Sequence, residues 1–81
     1  MSKFHPAVQH VIDLFVYDHL PENLQRVSRP IAELANLMAE QLDSGPELTV
    51  GLRKLLEAKD ALVRQAVIDA RPAQVVSDDD A

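Results

Sequence analysis

PENLQRVSRPIAELANLMAEQLDSGPELTVGLRKLLEAKDALVRQAVIDA, residues 21–70, is the stretch whose reading decides the fold. At its centre Asp43-Ser44-Gly45-Pro46 breaks two long segments of helical periodicity. Upstream, Leu24, Val27, Ile31, Leu34, Met38 and Leu42 follow one another at three- and four-residue steps, the mark of one helix face. Downstream, Leu48, Leu52, Leu55, Leu62 and Ala66 form a main stripe, with Ala58 and Lys59 in its middle. Leu56, Val63 and Val67 form a second stripe beside it. A face that broad exceeds what one neighbouring helix covers, which points to burial between copies of the chain. Two such helices joined by a short turn pack as an antiparallel hairpin.

The punctuation fixes the expected ends. Pro21 suits the first position of the second helix, followed by Glu22 where the helix dipole favours a negative charge. Pro30 lies inside the stripe and has no N–H to give the Arg26 carbonyl. The stripe keeps its phase across it, so the expectation is a kinked helix whose freed carbonyl faces solvent or a ligand. Ser44 and Glu47 have capping-box spacing, with Pro46 in the first turn of the third helix. Gly51, inside that helix, costs about 1 kcal/mol relative to alanine. Its expected role is close helix approach, the other reading being backbone access for a ligand. Asp60 and Arg64 stand four apart and are expected to pair on the outer face.

Working outward, Pro6 to about Leu20 reads as a short leading helix, with Val8, Val11, Ile12, Phe15 and His19 in phase and Leu14 and Val16 off it. His19 is expected to meet the free carbonyls at its end. Beyond the hairpin, Pro72 stops the third helix, and residues 72–81 read as a disordered acidic tail. The expected architecture is all-α: a short N-terminal helix followed by an antiparallel hairpin of two long helices, one domain over residues 1–71, homo-oligomeric.

Composition agrees. Of 81 residues 47% are hydrophobic but only 4% aromatic, which favours interdigitated helices over a sheet. A core of this size gives only about 3–5 kcal/mol of net stability. With no cysteine to staple it, self-association is the remaining common support. The net charge of -5 argues against tracking duplex nucleic acid, which needs a basic face. Small phosphorylated ligands need only two or three placed basic groups. No apolar run of about 18 residues exists to span a membrane, and the N-terminus lacks a signal-peptide layout, so the cytosol is the expected location.

Catalytic chemistry finds little to use. His5, His10 and His19 have no zinc-ligand spacing, and Gly45 and Gly51 make no phosphate loop. Ser2, Ser28, Ser44 and Ser77 lack a base or a nucleophile-elbow context. No enzymatic activity, metal or cofactor is expected. The polar residues that stand out are Tyr17, Asp18 and His19, then Arg26, Ser28 and Arg29, around the junction of the first two helices. A tyrosine ring can stack on a base, and guanidinium groups can fork onto phosphates. The plainer reading is a packed tyrosine beside a solvated basic face. Arg53, Lys54 and Lys59 form a second basic group on the third helix.

Glu47-Leu-Thr-Val-Gly-Leu-Arg-Lys-Leu-Leu-Glu-Ala-Lys-Asp-Ala61, above all its Lys54-Leu-Leu-Glu-Ala58 core, resembles the second hairpin helix of a phage-encoded family. The Phe4-His5-Pro6 opening resembles that of its actinobacteriophage members. These are the cyclic-nucleotide sponges, anti-CBASS and anti-Thoeris immune-evasion proteins that share a helical-hairpin domain. The resemblance covers roughly residues 4–70. It implies a homo-oligomer, commonly a hexamer, in the cytoplasm of the infected host bacterium. Such an assembly binds a cyclic di- or trinucleotide, or a cyclic ADP-ribose-type ligand, between protomers without degrading it. In the anti-CBASS branch a tyrosine before the first hairpin helix, and a lysine with a hydroxyl residue on it, hold the ligand. Tyr17 matches that tyrosine, and Arg26, Ser28 and Arg29 stand where the lysine and hydroxyl would. Members often carry an arginine where this chain has Pro46, so a second anionic site would draw on Thr49, Arg53 or Lys54. The alternative is a ligand-free structural or adaptor hairpin that binds a protein partner by its apolar face.

Overall fold

The computed structural model describes residues 4–71. Within them the chain is all-helical: α1 spans Pro6–Asp13, α2 Glu22–Gln41 and α3 Pro46–Asp69. The short connection 42–45 turns the chain back on itself, and α2 and α3 pack along each other, with α1 laid against both. The expected tail, 72–81, lies outside the described residues.

One core joins the three helices. It consists of Val8, Val11, Ile12 and Phe15 from the leading segment, Ala32, Ala35 and Ala39 from α2, and Leu48 and Leu52 from α3. Fully burying a valine, leucine or phenylalanine side chain contributes about 1.5–3 kcal/mol. Alanine contributes little by its own area and instead lets backbones approach. The α2 side of the core is therefore a groove floor into which larger side chains of α1 and α3 descend.

That floor corrects the expected face of α2. The buried positions are Ser28, Ala32, Ala35 and Ala39, not the stripe of large residues. Leu24, Val27, Ile31 and Met38 are half-buried, while Leu34 and Leu42 remain 43% and 54% exposed. Large side chains flank the line of closest approach because only small ones fit on it. On α3, Leu48 and Leu52 are buried as expected, but Leu62, further along the same stripe, is 52% exposed.

The leading helix ends at Asp13, well before Leu20. The Leu14 and Phe15 N–H groups close tight turns onto the Val11 and Ile12 carbonyls, and the chain then leaves the helix. Phe15-Val-Tyr-Asp-His19 carries aromatic, β-branched and short acidic side chains of low helix propensity, and Phe15 is pinned in the core at 2% exposure. His19 consequently caps no helix and lies exposed in the connection. The histidine that does cap is His5, whose Nδ1 accepts the Ala7 N–H at 3.0 Å.

Smaller expectations also shift. Pro21 is the residue before α2 rather than its first, and Glu22 begins the helix. α2 runs through Pro30 as one helix, with Pro30 on the exposed side. The Ser44–Glu47 capping box does not form: Pro46 opens α3, so Gly45 takes the capping position, without a side-chain bond. Asp60 pairs with its neighbour Lys59 at 2.9 Å rather than with Arg64. Gly51 is exposed, and a Cβ built on it meets nothing within 4 Å, so close approach inside the protomer is not its role.

Candidate ligand site

The candidate site is built where the α1–α2 connection folds back over α2. The Leu20 N–H bonds the Tyr17 carbonyl at 2.9 Å, closing a turn that brings the chain to the start of α2. Gln25, one turn into that helix, reaches back: its Nε2 donates to the Leu20 carbonyl at 2.8 Å and to the Asp18 carbonyl at 3.3 Å. The connection is thus tied to the helix by a side chain that the sequence did not single out. The only visible signal was its place four residues before Arg29, since its partners are backbone carbonyls that show no pattern in a sequence.

Tyr17 is half-buried and packs against the core. The Arg29 guanidinium carbon lies 5.7 Å from the centroid of its ring, within the range of a cation–π contact. Arg29 Nη2 is also 3.5 Å from Gln25 Oε1, a long contact that orients more than it binds. Arg26 is exposed one step around the same helix, about 60° from Arg29 at 100° per residue. Tyr17, Arg26 and Arg29 therefore form one patch at the N-terminal half of α2. Beside it opens a cleft of about 440 Å³ lined by Ile12, Asp13, Phe15, Val16, Tyr17, Ala32 and Asn36.

Ser28 does not join them. It is 1% exposed, faces the core, and its Oγ has no hydrogen-bond partner. The reason is the shift of buried face described above: residue 28 begins the small-residue line, so its side chain points beneath the arginines rather than beside them. It leaves the set of candidate ligand contacts.

The second group is split as well. Thr49 is half-buried and its Oγ1 donates to the Gly45 carbonyl at 3.2 Å. With His5, Ala7, Val8, Ser44, Gly45 and Pro46 it lines a cleft of about 300 Å³ between the start of α1 and the hairpin turn. Arg53 lies one turn on from Thr49, but Lys54 is about 140° away from Thr49 around the helix, so the three do not converge within one protomer. Both basic residues are exposed. Among the described residues no group of three or more histidines and carboxylates is placed to hold a metal ion, and no helix is long and apolar enough to cross a membrane.

Comparison with protein-family models, with curated proteins and with solved structures finds no match to this chain.

Proposed function

We propose that this protein is a phage immune-evasion sponge, which sequesters cyclic nucleotide second messengers between protomers in the cytoplasm of the infected bacterium and does not degrade them. The observation that carries the reading is the patch made by Tyr17, Arg26 and Arg29. It joins an aromatic ring, already held against one guanidinium at 5.7 Å, to a second exposed guanidinium on the same helix face. A cyclic nucleotide presents a base to stack and phosphates to fork. Each charge-assisted bond contributes about 1.5–3 kcal/mol and a stacked base about 1–3 kcal/mol. Two of each, from two protomers, sum to about 5–12 kcal/mol before ordering costs, a range that spans the roughly -8 kcal/mol of a micromolar complex. A cyclic di- or trinucleotide, or a cyclic ADP-ribose isomer, fits this chemistry. The protein's net charge of -5 does not oppose it, because the arginines act locally. The Thr49, Arg53 and Lys54 region becomes a second anion site only when copies bring these residues together, and a hexamer is the assembly that the sequence resemblance implies.

Calorimetry against a panel of these nucleotides tests the reading. The expected result is micromolar binding of at least one, with the intact ligand recovered after heat denaturation. Tyr17→Ala weakens binding about tenfold or more, by loss of stacking, while Glu57→Ala on exposed α3 surface leaves it unchanged. No heat with any member of the panel overturns the proposal. An open apolar groove between α2 and α3, lined by Leu34, Met38, Leu42, Leu48 and Leu55, favours the alternative of a protein-binding adaptor hairpin. A monomer that takes no nucleotide and buries its groove against a different protein would establish that alternative.

A further inference from the structure

Tyr17 belongs to two features at once. Arg29 lies against its ring at 5.7 Å, and the same residue walls the cleft of about 440 Å³ beside the patch. That volume is within the range of small-molecule sites. The floor of the cleft is apolar, made by the buried Ile12, Phe15 and Ala32. Besides the tyrosine, its polar side chains are Asp13 and Asn36. Both are oriented from within the protomer. Asp13 Oδ1 accepts from Gln9 Nε2 at 2.7 Å, one turn earlier in α1. Asn36 Nδ2 donates to the Ala32 carbonyl at 3.0 Å, one turn earlier in α2. A carbonyl only accepts, so that bond takes the amine end of the amide and leaves Oδ1 over. A carboxylate likewise accepts and does not donate. What both side chains hold out to a guest is therefore an acceptor. The patch outside is the reverse, since the Arg26 and Arg29 guanidinium groups only donate.

We infer that this cleft is the base pocket of the ligand site, and that it selects guanine through Asp13. The inference rests on the sponge reading and names the base that the site takes. Charge sets the direction in which a nucleotide enters: phosphates stay with the arginines, and the Asp13 carboxylate keeps them out of the cleft. The base then lies on the apolar floor against Tyr17, with its edge toward Asp13. Guanine offers that edge two adjacent donors, N1–H and the 2-amino group, which match the two oxygens of a carboxylate. Adenine sets the N1 lone pair beside its amine, and cytosine the N3 lone pair beside its own, so each would turn a lone pair on the carboxylate. Uracil flanks its single N–H with two carbonyls. Each of these leaves a polar group of the half-buried pocket facing a like one, which is what makes hydrogen-bonded sites discriminate.

Calorimetry with cyclic di-GMP, cyclic di-IMP and cyclic di-AMP tests the inference on the full chain. Cyclic di-GMP binds at least about ten times more tightly than cyclic di-AMP, as a bidentate base contact does. Cyclic di-IMP, which lacks only the 2-amino group, binds more weakly than cyclic di-GMP. Asp13→Asn keeps an oxygen for Gln9 but holds an amine out to guanine's donors. It weakens cyclic di-GMP about tenfold and changes cyclic di-AMP by less than about twofold, with helical circular dichroism unchanged. Equal affinity for the guanine and adenine dinucleotides, binding of adenine-containing ligands alone, or a guanine preference that survives Asp13→Asn overturns the inference and leaves the sponge reading standing. A protein that binds no cyclic nucleotide overturns both.

Discussion

The two sides of the α2–α3 hairpin use opposite means of burial. On the side of α1, small residues make the floor: Ser28, Ala32, Ala35 and Ala39 let Val8, Val11, Ile12 and Phe15 come in close. The open side carries the large residues, with Leu34, Leu42 and Leu62 each more than 40% exposed. A chain selected only to fold as a protomer would place its leucines inward and its small residues at the surface. The difference teaches that small residues set the closest packing of α2, while the exposed leucines are left available for the contacts that the proposed assembly requires.

The sharpest way to break this comparison is to remove one residue from each side. Phe15→Ala should cost about 3–5 kcal/mol of stability, as large aromatic-to-alanine changes in cores do, and urea denaturation monitored by circular dichroism should show the protomer largely unfolded near room temperature. A loss below about 1 kcal/mol would mean that the α1 side is not the true core. The matching change on the open side, Leu62→Asp, should leave the protomer folded, because Leu62 is 52% exposed and outside the core. In urea denaturation of dilute protein it should differ from wild type by only about 0.5 kcal/mol, the usual effect of a surface change.

Ser28→Ala sharpens the point from within the core. The hydroxyl is buried without a partner, and alanine is the better helix former. The variant should gain about 1 kcal/mol in chemical denaturation. Its nucleotide affinity should stay within about twofold of wild type, because Ser28 faces away from Arg26 and Arg29; a tenfold loss would return it to the ligand site. The smallest effect belongs to Gly51→Ala. The protomer has room for the added methyl group, so thermal melting should show a gain of at most about 1 kcal/mol.

The hairpin itself was legible in residues 21–70. The turn at Asp43–Pro46 and the periodicity on both sides of it suffice for two long packed helices, and α3 ends within a residue of its expected end. The face of α2 was not legible, because periodicity marks large residues while the closest packing is made by small ones, and alanine occurs on every helix surface. The end of α1 was missed because Phe15 continues the apolar phase although the helix has already stopped. In the candidate site, Tyr17 and Arg29 stood out by residue type and the structure brings them together. Ser28 stood out equally and is turned away. The difference is a rotation of 100° about α2, fixed by tertiary packing and not by any residue near the site.

The central claim is that copies of this chain close over their open faces and hold cyclic nucleotides whole. Native mass spectrometry tests it most directly, after the protein has been incubated with the nucleotide panel and freed of excess ligand. The account predicts an assembly of several 9.0 kDa chains carrying the mass of intact nucleotide. A 9.0 kDa species with nothing bound, or an assembly that takes up no nucleotide from the panel, would contradict it.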